Sequence, residues 1–103
     1  MKTFVFQQVR HREQRGAGGS IHFWRDRTRE VDFVIDRGGR LELIESKFTE
    51  LPTGSDAVNL RFVREVVGAK RVGRCLVACR TPNPFPLTDG VEVESPADWA
   101  PAI

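Results

Sequence analysis

Asp32, Glu45 and Lys47 are the side chains of this sequence whose types and spacing suit metal-assisted chemistry on a phosphate. Their relation rests on a hairpin. Gly38-Gly39 separates two alternating runs, and adjacent glycines suit a two-residue turn whose central residues need positive φ. With those glycines as the loop, Arg37 pairs with Arg40 and every cross-strand couple has numbers summing to 77. Val34 then faces Leu43, Asp32 faces Glu45, and Glu30 faces Lys47. Opposed residues have β-carbons about 4.5 to 5.5 Å apart, so two carboxylates there repel unless a divalent cation lies between them. Lys47, two residues beyond Glu45 on the same face, brings an ammonium that can orient a water or meet charge on a phosphate. Glu30 is either the salt-bridge partner of Lys47 or an outer member of the site. A solvated charged face carrying a Glu30–Lys47 pair accounts for the same residues. Residue usage points the other way, because the chain has thirteen arginines and three lysines, and a compact ammonium differs chemically from a guanidinium fork.

The elements that must hold these residues can be read along the chain. Phe4, Val5, Phe6 and Val9 predict an amphipathic helix from Thr3 to about Arg15, followed by a glycine-rich turn over 16–19. Ile21–Arg25 reads as a strand and 26–29 as the turn after it. The next strand, Glu30–Asp36, places Val31, Phe33 and Ile35 on one face and Glu30, Asp32, Val34 and Asp36 on the other. Leu41–Phe48 is its hairpin partner. Leu51-Pro52-Thr53-Gly54 breaks the strand, and Thr53 or Ser55 caps a helix that begins near Asp56 and stops at Gly68. Val58, Phe62 and Val66, with Val63 and Val67, are its expected buried stripe. Arg74–Cys79 is apolar between its ends, as a strand covered on both faces would be, and its position after a helix favours a parallel crossover. Thr81–Pro86, with three prolines, reads as a loop. Val91–Glu94 is a short strand, and Ser95 with Pro96 opens a closing turn.

With 103 residues the chain is expected to form one domain. No apolar run approaches the roughly 18 residues of a membrane span, and Met1–Glu13 lacks the apolar segment of a signal peptide, so a cytoplasmic setting without membrane contact is expected. Cys75 and Cys79 would lie about 13 Å apart along a strand, too far for a disulfide, and read as buried thiols in a reducing compartment. No second cysteine pair completes a zinc site. The formal net charge is +2, yet residues 1–40 carry nine Lys/Arg against five Asp/Glu, and residues 41–103 seven against nine. Arg10, His11, Arg12, Arg15, His22, Arg25, Arg27 and Arg29 supply that basic excess, either as a phosphate-facing surface or as a solvated face.

Phe23-Trp24-Arg25-Asp26, Glu30-Val31-Asp32-Phe33-Val34 and Leu43-Ile44-Glu45-Ser46-Lys47 together resemble the PD-(D/E)xK nuclease superfamily. More narrowly, they resemble the nuclease-like C-terminal domain of a family of prokaryotic AAA-type ATPases. The resemblance runs from about Lys2 to Pro96. It implies an α/β, restriction-endonuclease-like α-β-β-β-α-β core with a mixed sheet flanked by helices. It also implies Asp32 and Glu45 as ligands of Mg2+ or Mn2+, with Lys47 assisting the water in phosphodiester hydrolysis. Nucleic acid, DNA rather than RNA, is the implied substrate, with Arg12, Arg15, Arg25, Arg27 and Arg29 on its backbone. An upstream ATPase domain and a homodimer are partners by the same analogy. A catalytically silent interaction module is the alternative it leaves open.

The chain departs from that pattern in places. The first-helix glutamate is replaced by Lys2, with Glu13 as a candidate substitute. Ser46 stands where an apolar residue is usual and, facing away from the acids by alternation, is expected to affect packing more than chemistry. No phosphate-binding G-x-x-x-x-G-K-[ST] run is present. His11 and His22 have no partner at ligand spacing, and the serines form no triad.

Overall fold

The computed structural model describes residues 2–13, 20–25, 30–88 and 90–99, the side chains of Lys2, Arg12 and Asp98 excepted. Helix α1, Lys2–Arg12, leads into strands β1 (Ser20–Arg25), β2 (Glu30–Arg37) and β3 (Arg40–Ser46). A 3-10 turn, Gly54–Ala57, opens helix α2 (Val58–Val67), and strands β4 (Val72–Ala78), β5 (Phe85–Thr88) and β6 (Val91–Glu94) follow. A closing 3-10 turn spans Pro96–Trp99. The result is an α/β fold with one mixed six-stranded sheet in the order β1-β2-β3-β4-β6-β5.

Two apolar layers hold helices against the sheet. Val5 and Val9 of α1 pack with Phe33, Ile35, Ile44, Leu76 and Ala78. Leu60 and Val63 of α2 pack with Val34, Leu43, Cys75, Val77, Cys79 and Val93 on the other side. Side chains alternate across a strand, so β3 and β4 feed both layers at once, Leu43 and Ile44 to opposite sides and likewise the apolar run Cys75–Ala78. Both cysteines are buried and unbridged in the α2 layer.

The hairpin has the expected register. Gly38 and Gly39 take φ of 68° and 92°, values that side chains with a Cβ rarely adopt, and the Asp36 carboxylate accepts from the Gly39 amide at 2.7 Å. Arg37 pairs with Arg40, Val34 with Leu43 and Phe33 with Ile44. Strands β3 and β4 run parallel, Glu45 beside Val77, as the intervening helix requires.

Four expectations are corrected. Strict alternation fails in β2: His22 pairs with Val34 but Trp24 with Val31, so Phe23 alone opposes both Asp32 and Phe33, a β-bulge. The extra residue turns Val31 to the α2 side with Val34, while Phe33 and Ile35 face α1. On α2, Leu60 and Val63 are buried, whereas Val58, Phe62 and Val66 are exposed. The expected stripe is thus split: Val63 and Val67 face the core together with Leu60, while Val58, Phe62 and Val66 lie on the outer face. Thr81–Pro86 is not wholly loop: β5 begins at Phe85 and tolerates Pro86 because it is the sheet's edge, where a missing N–H costs no ladder bond. Finally, β3 ends at Ser46 rather than Phe48, so Lys47 lies just past the strand, its amide donating to the Ala78 carbonyl at 2.9 Å.

Candidate functional site

The paired ladder of β2 and β3 ends at Phe33 and Ile44, and Asp32 and Glu45 are the next residue of each strand beyond it. The Asp32 carboxyl stands near enough to Glu45 to act on it through hydrogen bonding and charge. Both are buried, at 6% and 4% exposure, so their meeting is not a solvated coincidence. Burial pushes the Glu45 carboxyl up to about 8, with the hydrogen bond to Asp32 and its charge acting in the same direction, Lys47 opposing and Glu30 adding. Two acids in contact in a poorly hydrated place cannot both ionise unless positive charge joins them. The pair holds either a proton or a cation.

The bulge and a serine orient Asp32. Where one residue of β1 opposes two of β2, the bulged side chain is re-aimed, and here Asp32 reaches the end of β3. Its Oδ2 accepts two hydrogen bonds from Ser46, one from the amide at 2.9 Å and one from the hydroxyl at 2.7 Å. The expectation that Ser46 faces away from the acids is therefore corrected. Alternation along β3 alone hid this, because the bulge in the neighbouring strand decides where Asp32 points. The available signal was a hydroxyl residue directly after Glu45, between it and Lys47.

Other expected members stand elsewhere. Glu30 pairs with Arg25, its neighbour across β1 and β2, at 3.8 Å on the exposed surface, so the proposed Glu30–Lys47 bridge is replaced. Lys47 acts on Glu45 through its charge and is half-buried beyond the strand end. Glu13 is buried, but its carboxylate pairs with Arg37 near the hairpin turn. That end of β2 is five residues from Asp32, about 16 Å along the strand, so Glu13 supplies no ligand to the acid pair.

Arg37 also donates to Glu42 at 2.7 Å. Burial alone would lower its basicity, but its hydrogen bonds to Glu42 and Glu13 and their charges outweigh that and hold the guanidinium charged. Arg74 extends the network to Glu42 and Glu94, and Trp99 closes it through its indole N–H on Glu94. Buried Glu13 and Glu42 and half-buried Glu94 neutralise arginines and explain the polar residues beneath α1 without invoking catalysis.

Of the expected nucleic-acid contacts, Arg25 is exposed on the edge strand β1. Arg15, Arg27 and Arg29 lie outside the described residues, as does the side chain of Arg12. The carboxyl ends of the parallel strands offer a cationic residue that charge counting missed. The Arg80 amide donates to the Thr49 carbonyl at 2.9 Å, and its guanidinium stands 5.0 Å from the ring centroid of exposed Phe48. Arg80, Phe4, Thr81 and Pro96 line a cleft of about 570 Å³ there, the position where open α/β sheets take ligands.

The donor set fits a small hard cation. Two carboxylates suit Mg2+ or Mn2+, which are commonly held by one or two protein carboxylates together with substrate phosphate and water. Among the described residues no group of three His, Cys, Asp or Glu side chains is placed to hold a metal, so the remaining ligands of such an ion would be water and substrate. Among those residues, too, no helix is long and apolar enough to cross a membrane.

A protein-family model described as a domain of unknown function (DUF4143) matches residues 1–97. No curated protein and no solved structure matches the chain.

Proposed function

The chain belongs to the DUF4143 family, and from its acid pair we propose that it is a Mg2+- or Mn2+-dependent nuclease-like domain of PD-(D/E)xK type acting on DNA. The observation that carries this reading is the buried contact between Asp32 and Glu45, a costly arrangement that a bound cation would turn into coordination. Asp32 and Glu45 would hold the ion. When bound, it would polarise a phosphoryl oxygen and make a water molecule more acidic. The ammonium of Lys47 orients the attacking water or meets the charge that develops on the phosphate. Arg25 and Arg80 are the described cations suited to the nucleic-acid backbone. The restriction-endonuclease-like core fits the order of α1, β1, β2, β3, α2 and β4, with β5 and β6 added at the far edge. A cytoplasmic location, a homodimer and an attached ATPase domain belong to the same reading.

A second reading has its own observation. Lys2 occupies the place of the usual first-helix acid, and Glu13 is committed to Arg37, which leaves two protein carboxylates. With so lean a site, the domain would serve as a silent interaction module of an ATPase.

Thermal melting with Mn2+ tests the metal. At ten times its dissociation constant, Mn2+ should add about 1.4 kcal/mol, raising the midpoint by roughly 5 to 10 °C for a domain of this size. Asp32→Ala should remove the rise. Metal-independent melting of the wild-type protein would end the first reading, and a metal-dependent rise without cleavage of any oligonucleotide would favour the second.

A further inference from the structure

Just past the ends of β3 and β4, an aromatic ring and a guanidinium stand together at the surface. Phe48 is 74% exposed, and a large apolar ring gains nothing by facing water. The Arg80 guanidinium lies over that ring, 5.0 Å from its centroid, where the ring quadrupole attracts a cation. Both side chains rise from anchored backbone. The Lys47 amide donates to the Ala78 carbonyl and the Arg80 amide to the Thr49 carbonyl, each at 2.9 Å, so Phe48 sits between two points tied to the neighbouring strand. Arg80 also lines the cleft that continues past Phe4 and Pro82. Phe48 follows Lys47 directly and is three residues from Glu45, at most about 11 Å along the chain.

Resting on the reading of the domain as one that acts on DNA, we propose that Phe48 and Arg80 form a stacking platform for an unpaired base, so that the strand led to the acid pair is single-stranded. The ligand that matches a ring beside a guanidinium is a planar π system joined to a negative charge. A nucleotide has both: its base stacks on Phe48 and its phosphate meets Arg80. An apolar peptide would cover the ring and leave the cation unanswered. Inside a duplex the faces of each base are covered by its neighbours and only the edges reach the grooves, so a surface ring engages only a strand whose bases are free. Every base offers a π face, and the platform therefore selects strandedness rather than sequence. Glu50 is the one described acid on the cleft wall, and a polyanion meets it as repulsion.

The full chain is titrated in EDTA, where the acid pair holds no metal, against a labelled oligothymidylate and a blunt-ended duplex, with binding read by fluorescence anisotropy. Phe48→Ala should weaken oligothymidylate binding about tenfold and leave duplex binding within about twofold of the wild type. Phe48→Trp, which offers a larger ring, should bind the single strand at least as tightly as the wild type. Arg80→Ala should flatten the log–log salt dependence of that binding by roughly 0.7, the share of one phosphate on a single strand, whereas Phe48→Ala should leave the slope unchanged. Glu50→Gln should bind the oligothymidylate more tightly. Phe48→Ala that binds the single strand as the wild type does, or that weakens both forms equally, overturns the proposal. A wild-type chain that binds duplex alone and cleaves it in Mn2+ also overturns it, while the acid-pair reading stands. If the wild-type chain binds neither form, the DNA reading falls and this inference with it.

Discussion

Asp32→Ala is expected to reduce Mn2+-dependent cleavage of a labelled DNA oligonucleotide by about a thousandfold or more, while leaving the fold intact. A metal that polarises a phosphoryl oxygen and activates water contributes several kcal/mol to the transition state, and about 4 kcal/mol corresponds to three powers of ten in rate. Asp32 is tied to Glu45 and to Ser46, so its loss removes half of the protein's donor set. The remaining Glu45 carboxyl can keep its proton, which limits the structural damage. Lys47→Ala should lower cleavage by about a hundredfold, in the range of a single positioned catalytic group, with Mn2+ affinity nearly unchanged because Lys47 is not a ligand. Single-turnover rates at saturating Mn2+ measure both. Cleavage by Asp32→Ala at the wild-type rate would remove the pair from the chemistry.

Glu45→Gln should change the pH dependence of stability more than any other conservative substitution in the domain. In the folded metal-free chain the Glu45 carboxyl keeps its proton up to about pH 8, against an ordinary value of 4.5. The unfolded chain gives up that proton far earlier. The resulting stabilisation is therefore complete below the ordinary value, declines as pH rises between the two, and is gone once pH passes the folded value. In EDTA, wild-type protein should lose about 2 to 3 kcal/mol more than Glu45→Gln between pH 5 and pH 8.5, a difference of roughly 10 °C or more in midpoint. The amide keeps the shape and a hydrogen-bond donor toward Asp32 without the buried charge. Denaturant titrations across that interval check it. Parallel pH profiles for the two proteins would mean that Glu45 is ionised in the fold at neutral pH.

How much of this was legible in the sequence depended on whether the deciding physics was local. The hairpin was, because only glycine readily adopts the positive φ at both Gly38 and Gly39, and turn geometry then fixes the register of Val34, Leu43 and their neighbours. The parallel placement of β4 followed from the helix before it. The bulge was not legible, since it depends on how β1 meets β2 at Phe23, and both the turning of Val31 and the reach of Asp32 to Ser46 follow from it. The outer position of Val58, Phe62 and Val66 was hidden for a related reason: α2 carries apolar residues around much of its circumference, and which face turns inward is decided by the sheet. Glu13 looked like a spare acid because its partner, Arg37, is 24 positions away and is brought to it only by the packing of α1 on the sheet.

The most direct measurement is anomalous X-ray scattering from crystals soaked in Mn2+ at pH 8.5, where the Glu45 proton competes least. The account expects one strong manganese peak at the end of β3, within coordination distance of both the Asp32 and Glu45 carboxylates, absent from Glu45→Gln crystals soaked in the same way. A saturated soak that leaves the two carboxyl groups with no peak between them would contradict it.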